Sequence, residues 1–134
     1  MESDERSRRA LTYAEKLSRM IRVRTVQEPG NAQSFEDFHA LLKELFPAVF
    51  AHCEIKVFGN DGGSLLFRWR AACAEGEGKP ALLLMSHQDV VDAEGPWTHE
   101  PFGGEIAEGR VWGRGALDLK GNLLCILQAV EELI

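Results

Sequence analysis

The stretch "LLLMSHQDVV", Leu82 to Val91, contains an apolar run that stops at His87 and Asp89 and then resumes. Because the run is short and lacks strict alternation of apolar and polar residues, it predicts a strand covered on both faces. Removing a carboxylate from water is costly unless the group is paired or bound to a metal. We therefore expect the histidine and the aspartate at the end of this strand to be paired with another group or bound to a metal.

The composition narrows the possible classes of function. The chain has 134 residues, 45% of them hydrophobic, which is enough for about one domain with a packed core. Its 15 basic and 21 acidic residues give a net charge of −6, and this argues against nucleic acid as the main partner because phosphate binding needs a basic surface.

The cysteines and the apolar segments bear on the compartment. Cys53, Cys73 and Cys125 are widely spaced and form no C-x-x-C pair, so they predict reduced thiols rather than a disulfide framework. No apolar run approaches the ~20 residues that span a bilayer, and the charged N-terminus does not resemble a signal peptide. We expect a cytoplasmic protein with no membrane partner.

The order of predicted elements favours an α/β fold with a layered sheet. An apolar face that includes Tyr13 and Leu17 indicates a first helix, and a second helix is expected to begin at Ser34, capped by its hydroxyl. The segments "CEIKVF" and "SLLFRWR", separated by a glycine-rich turn, predict two strands. A short strand at "RVWGRG" and an amphipathic helix over residues 119–134 complete the pattern.

A second polar cluster follows the strand at "RVWGRG". Asp118 lies in "GRGALDLKG", residues 113–121, at the carboxyl end of that strand. Ligands of open α/β sheets bind beyond such ends, so Asp118 could converge with His87 and Asp89. An imidazole nitrogen and a carboxylate oxygen suit zinc, and Asp89, two residues after His87, could orient the imidazole by accepting its hydrogen bond. The arrangement predicts a metal site.

Other interpretations of the same residues stay open at this point. A histidine at the end of a strand can simply be satisfied by a backbone carbonyl. Gly113-x-Gly115 before a helix is typical of a dinucleotide-binding turn, but Asp118 occupies the place of the third glycine and would repel a pyrophosphate. Lys120-Gly121 lacks the glycine spacing and the Ser/Thr of a P-loop. Nucleotide binding is therefore disfavoured.

Together, "LLLMSHQDVV" and "GPWTHEPFGGEIAEGRVWGRGALDLKGN" resemble the signature of the co-catalytic zinc hydrolases. That family includes aminoacylase, acetylornithine deacetylase, succinyl-diaminopimelate desuccinylase, carnosinase-type dipeptidases and glutamate carboxypeptidases. The resemblance is strong over residues 81–134 and looser before them. It implies part of a three-layer α/β/α catalytic domain with a mixed sheet, and hydrolysis of peptides or N-acyl amino acids with two zinc ions, for which cobalt or manganese could substitute.

The resemblance also implies a role for each matching residue. His87 would bind one zinc ion, Asp89 would orient the His87 imidazole, and Asp118 would bridge the two ions. The peptide bond after Asp118 would be cis, as is typical of the family. A water bridging the ions would be the nucleophile.

The chain departs from the family where its sequence ends. The family's general base is the first of two adjacent glutamates on a later strand, and further ligands and a lid or dimerisation domain follow. Glu131-Glu132 is on a helix, and we interpret it as an ordinary solvated face. Residues 1–134 are thus expected to be an N-terminal part of the catalytic domain, inactive alone, whose full-length form could be a homodimer. The alternative is a non-catalytic remnant that acts at most as a metal-binding or interaction module.

Several further side chains near these motifs have plainer interpretations. His99 is expected to lie in the loop near the mouth of the site, and Trp97 and Phe102 to pin that loop onto the core. Arg114 and Lys120 are expected either to pair with carboxylates of the metal site or to be exposed.

Overall fold

The computed structural model describes residues 2–59, 63–70 and 78–134, with side chains from residue 4 onward. Four helices and four short strands follow one another in the order α1 Glu2–Arg22, α2 Ala32–Leu45, α3 Pro47–His52, β1 Glu54–Phe58, β2 Ser64–Arg68, β3 Glu105–Ala107, β4 Arg110–Trp112 and α4 Lys120–Leu133. Within the described ranges, no helix is long and apolar enough to cross a membrane.

The hydrophobic core lies among the helices, where α1 contacts both α2 and α4 and α3 contacts α4. Its buried members are Met20, Phe38, Leu42, Leu45, Phe46, Val49, Leu124 and Leu127. Each such side chain stabilises the fold by roughly 1.5–3 kcal/mol through the apolar surface it removes from water. The predicted apolar face of α1 is confirmed, since Tyr13 and Leu17 pack against this cluster.

The second helix begins two residues before the predicted start at Ser34, at Ala32. The Ser34 hydroxyl does not cap the helix but donates to the side-chain oxygen of Asn31 at 2.5 Å. The Asn31 amide in turn donates to the carbonyl oxygens of Arg24 at 3.0 Å and Val26 at 2.8 Å. Ser34 therefore acts on the turn that precedes α2, and the predicted cap is wrong.

The strands form two separate antiparallel pairs. β1 pairs with β2 in a register that sets Glu54 opposite Arg68, and β3 pairs with β4. The strands predicted at "CEIKVF", "SLLFRWR" and "RVWGRG" are thus confirmed, and β3 is a further strand that no sequence pattern predicted. Glu108 and Gly109, which join β3 to β4, have φ values of 56° and 71°, as the two-residue hairpin turn requires.

The strand predicted over Leu82 to Met85 is wrong. These residues belong to no strand, and Leu82, Leu84 and Met85 are 84%, 52% and 76% exposed. A strand is buried on both faces only when neighbouring strands and helices cover it, and within the described ranges the nearest pairing is a single parallel bridge between Val26 and Val90. The α/β class itself is confirmed, as a partial domain of helices and small antiparallel sheets.

The pair Glu131-Glu132 has a structural role that the prediction of a solvated face missed. The Glu131 carboxylate accepts the backbone N–H groups of Ala48 at 3.0 Å and Val49 at 2.9 Å, in the first turn of α3. Those N–H groups have no partner inside the helix. Glu132 pairs with Arg9 at 2.6 Å on the exposed surface of α1. Both carboxylates are therefore committed to contacts between helices.

Replacing Glu131 with Gln should lower the free energy of unfolding by about 1 kcal/mol, because an uncharged amide with one acceptor oxygen caps the first turn of α3 less well. Urea unfolding followed by circular dichroism measures the change. Glu132→Gln is the matched control, since it removes the same charge from an exposed pair and should have the smaller effect. Equal losses from the two substitutions would contradict the assignment of Glu131 as the cap.

Candidate metal centre

The structure brings His87, Asp89 and Asp118 together. The His87 imidazole lies between the two aspartates, with Nε2 3.2 Å from Asp118 Oδ1 and Nδ1 3.0 Å from the backbone oxygen of Asp89. The carboxylate of Asp89 is 3.4 Å from the same Nδ1. Residues 31 positions apart in sequence thus converge on one imidazole, and each of its nitrogens faces an oxygen.

The contact between His87 and Asp89 differs in detail from the expected one. The nearest acceptor for Nδ1 is the Asp89 carbonyl oxygen rather than its carboxylate. A backbone acceptor orients an imidazole as effectively as a carboxylate does, since either leaves Nε2 free to face the opposite side. That Asp89 orients the ring for a metal stays a prediction.

The surroundings of His87 raise the pKa of its imidazole above the ordinary value. Burial lowers this pKa, but the hydrogen bonds to the Asp89 carbonyl and the Asp118 carboxylate, with the charges of both aspartates, outweigh it. The doubly protonated ring is therefore favoured more than in a free histidine, because both N–H groups then have acceptors.

Asp118 projects into solvent from the turn that precedes α4, with its side chain 88% exposed. The Asp118–Leu119 peptide bond is cis, as the resemblance implied. The Leu119 carbonyl accepts the Ser86 hydroxyl at 3.3 Å, which links this turn to the residue before His87.

Gly115 explains how the "GRGALDLKG" turn approaches the His87 segment so closely. Its φ is +85°, and a Cβ atom built there would lie 2.8 Å from Val90 Cγ1. A side chain at this position would separate the turn from Val90, and only glycine combines this φ with so close a contact. The glycine thereby lets Asp118 reach His87.

The donor set has the chemistry that zinc binds but provides few ligands. His87 offers an imidazole nitrogen and Asp118 a carboxylate oxygen, both regular zinc donors. Within the described ranges, no group of three or more His, Cys, Asp or Glu side chains is placed to hold a metal ion. These residues therefore fit part of a metal site, and a complete coordination shell needs further donors.

Lys120 lies next to this site but neither pairs with its carboxylates nor is exposed, so both predictions for it are wrong. Its side chain is fully buried, and its ammonium donates to the carbonyl oxygens of Met20 at 2.9 Å and Val23 at 2.6 Å. The ammonium also lies 4.8 Å from the centre of the Phe38 ring. Burial lowers the pKa of Lys120 to about 7. The residue fastens the first turn of α4 to the end of α1.

Two arginines fasten the loop that follows Asp89. Arg24 pairs with the Asp92 carboxylate at 3.0 Å, and Arg114 donates to the Asp92 carbonyl at 3.2 Å. Arg24 lies over Phe102 and Arg114 over Trp97, at 5.6 and 4.8 Å from the ring centres. Phe102 and Trp97 thus contact arginines that lie outside the loop, and that they pin the loop onto the core stays a prediction. Arg114 pairs with a carbonyl instead of a metal-site carboxylate.

His99 has partners of its own on the hairpin. Its ring stacks on Trp112 with 4.2 Å between the centres, and its Nδ1 lies 2.8 Å from a carboxylate oxygen of Glu105. These contacts satisfy the ring within the loop and the hairpin.

Sequence reasoning missed Thr25 and Gln88, which tie the backbone beside His87 to other segments of the chain. The Thr25 hydroxyl donates to the Gln88 carbonyl oxygen at 2.6 Å, and the Gln88 amide bonds to Gly63 and His39. The only signal in the sequence is the position of Gln88 between His87 and Asp89, because the partners come from distant segments.

The family that the motifs resemble is also found when the chain is compared with known proteins. The model of Peptidase family M20/M25/M40 matches residues 83–134, the part of the chain that carries His87 and Asp118. Over 56 residues the chain is 50% identical to a succinyl-diaminopimelate desuccinylase of Methylorubrum extorquens, an alignment that covers 40% of this chain and 14% of that protein. The resemblance to this family is thereby confirmed.

Two longer alignments reach the N-terminal helices. The chain is 32% identical over 133 residues to a probable carboxypeptidase S-like 2 of Dictyostelium discoideum, covering 92% of this chain and 24% of that protein. It is 32% identical over 135 residues to carboxypeptidase S of Saccharomyces cerevisiae, covering 90% of this chain and 23% of that protein. The chain spans about a quarter of the length of these two relatives.

The buried ammonium of Lys120 should make the stability of the chain depend on pH. Because its pKa is about 7 in the folded chain and about 10.4 in an unfolded one, the unfolded state binds more protons between these values. Stability must therefore rise with pH across this window, by at most about 1.4 kcal/mol per pH unit. The loss of stability caused by burying the charged Lys120 ammonium is largest below about pH 7.

Urea unfolding at about pH 7 and about pH 9 tests this prediction. The free energy of unfolding of the unaltered chain, minus that of Lys120→Met, should increase between the two conditions. Lys43→Met, which changes an exposed lysine of α2, should show no such increase. A difference for Lys120→Met that stays flat with pH would contradict the prediction.

Proposed function

We propose that this chain, whose residues 83–134 belong to Peptidase family M20/M25/M40, forms part of a metal-dependent hydrolase of amide bonds with zinc as its metal. The single observation that supports a metal site most directly is the contact of 3.2 Å between His87 Nε2 and Asp118 Oδ1. It places the imidazole nitrogen of one motif next to the carboxylate oxygen of the other, and both are regular zinc ligands.

In this proposal His87 and Asp118 would hold the metal, Asp118 would be a ligand common to two ions, and Asp89 would orient the imidazole. Zinc, when bound, would supply polarisation of an amide carbonyl and activation of a water. The His87 Nδ1–H would donate to the Asp89 carbonyl oxygen, 3.0 Å away. The Nε2 lone pair would then be available as a ligand once that nitrogen carries no proton.

The remaining parts of the site are proposed to come from outside these 134 residues. Glu131 and Glu132, the only adjacent glutamates in the sequence, are engaged in contacts between helices and are unsuited to act as a general base. The relatives are about four times as long as this chain. We propose that the general base, the further ligands and a lid or dimerisation domain lie in the corresponding parts of a longer protein, which forms a homodimer, and that this chain alone is inactive.

The proposed substrates are peptides or N-acyl amino acids. This class follows from relatives that are named as a carboxypeptidase and a desuccinylase, both of which act on an amide bond in such a compound. The expected cytoplasmic location also stays a proposal. It is supported by Cys53 and Cys125, which are free thiols in the structure, while Cys73 lies outside the described residues.

A second candidate is a non-catalytic remnant, and the small donor set favours it. Two ligands hold zinc weakly unless others complete the shell, and the described residues provide no cluster of three. The two candidates differ in whether His87 and Asp118 still bind a metal ion at all.

Zinc titration by calorimetry on the purified chain distinguishes them. Binding should occur and should weaken by more than about tenfold in both His87→Ala and Asp118→Ala, since each removes a direct ligand. The control is His52→Ala, which removes an exposed imidazole whose Nδ1 lies 3.0 Å from the Ala48 carbonyl oxygen within α3. It should leave the affinity unchanged. No binding, or binding indifferent to both substitutions, would overturn the metal site and favour the remnant.

A further inference from the structure

Thr25 is a buried polar residue that contacts the segment between His87 and Val90 twice. It lies three residues after the end of α1 and is fully buried. Its hydroxyl donates to the Gln88 carbonyl oxygen at 2.6 Å, and its own carbonyl oxygen accepts the Val90 N–H at 2.9 Å. These two bonds bracket Asp89 on both sides.

The two bonds fix the two peptide planes that flank Asp89. The Gln88 carbonyl belongs to the peptide unit before Asp89, and the Val90 N–H to the unit after it. A peptide unit is planar, and in the trans form its N–H and C=O point in opposite directions. When Thr25 accepts the Val90 N–H, the Asp89 carbonyl must point to the other side, where His87 Nδ1 lies at 3.0 Å.

The side chain of Gln88 is bound from two further elements. Its Nε2 donates to the Gly63 carbonyl oxygen at 2.7 Å, just before β2, and its Oε1 lies 2.8 Å from His39 Nε2 on α2. Because a carbonyl oxygen can only accept, the amide nitrogen must face Gly63 and the amide oxygen must face His39. His39 therefore carries its proton on Nε2 and donates it to Gln88.

From these contacts we propose that Thr25 and Gln88 are positioning residues for the metal site. The Thr25 hydroxyl holds the peptide plane before Asp89 and the Thr25 carbonyl holds the plane after it, so that together they aim the Asp89 carbonyl at His87 Nδ1. Gln88 anchors the backbone between His87 and Asp89 to α2 and to the start of β2. Together they hold the His87 ring so that Nε2 faces Asp118. This inference rests on the proposed function, because its expected consequence is a change in metal affinity. The orientation of the His87 ring itself does not require a bound metal.

The test compares Thr25→Val, which keeps the shape of the side chain and removes its hydroxyl, with Thr25→Ser, which keeps the hydroxyl. Two quantities are measured on the whole chain: zinc affinity by calorimetry, and the ¹⁵N shifts of the His87 ring in the metal-free chain at one fixed pH. Thr12→Val is the control, because it makes the same substitution at an exposed hydroxyl that bonds only within α1.

We expect Thr25→Val to weaken zinc binding by about tenfold, the usual effect of losing a residue that orients a ligand. It should also move the Nδ1 shift away from that of a hydrogen-bonded N–H. Thr25→Ser and Thr12→Val should match the unaltered chain in both measurements. The proposal is overturned if Thr25→Val leaves both measurements unchanged. It is also overturned if Thr25→Ser weakens zinc binding and moves the ring shifts as much as Thr25→Val does, while both variants stay folded.

A second variant covers the case in which Thr25→Val does not fold. Gln88→Met removes both amide contacts at the half-buried Gln88 and should shift the His87 ring signals and lower the zinc affinity in the same direction. Unchanged signals in Gln88→Met would then overturn the proposal. If the unaltered chain binds no zinc, the proposed function fails, yet the ring shifts of the metal-free variants still decide whether Thr25 and Gln88 position His87.

Discussion

The buried ammonium of Lys120 is the contact on which the arrangement of the site depends. It donates to Met20 and Val23, whose carbonyl oxygens lie at the end of α1, where a helix leaves its last carbonyls without internal partners. A buried cation is costly to remove from water, and these carbonyls, with the negative end of the helix dipole, offset that cost. The first turn of α4, and with it Asp118, is thereby fixed relative to α1.

The same end of α1 fixes the other half of the site. Thr25 bonds the backbone around Asp89, and Arg24 pairs with Asp92 three residues further on. Ser18 and Arg22 donate to the carbonyl oxygens of Gly104 and Gly103, in the loop before β3. One helix end therefore serves as the common reference for both motifs, which explains how residues 31 positions apart meet without a continuous sheet between them.

The electrostatics of the site follow from this placement. Asp118 is exposed and Asp89 is partly so, and in a chain of net charge −6 two carboxylates around one imidazole create a negative potential that attracts a cation. The same two aspartates favour the charged form of the imidazole between them and so raise its pKa.

Sequence patterns predicted some of the helices and strands and missed others. The apolar spacing of α1 and α4 predicted both helices, and the turn residues predicted the pairing of β1 with β2. The pairing of β3 with β4 was not predicted, because "EIAEGRVW" lacks strict alternation of apolar and polar residues and follows a segment rich in glycine and proline. The exposure of Leu82 to Met85 was not predictable, since an apolar run does not specify whether neighbours cover it.

The sequence by itself determined the chemistry of the candidate site: His87, Asp89 and Asp118 were identifiable from their motifs because a metal requires particular donor atoms in a particular order. The structure alone decided what surrounds them. Lys120, Thr25, Gln88 and Glu131 are polar residues whose partners are backbone groups of distant segments. Every residue carries such backbone groups, so no pattern of side chains marks which of them a buried polar group will meet.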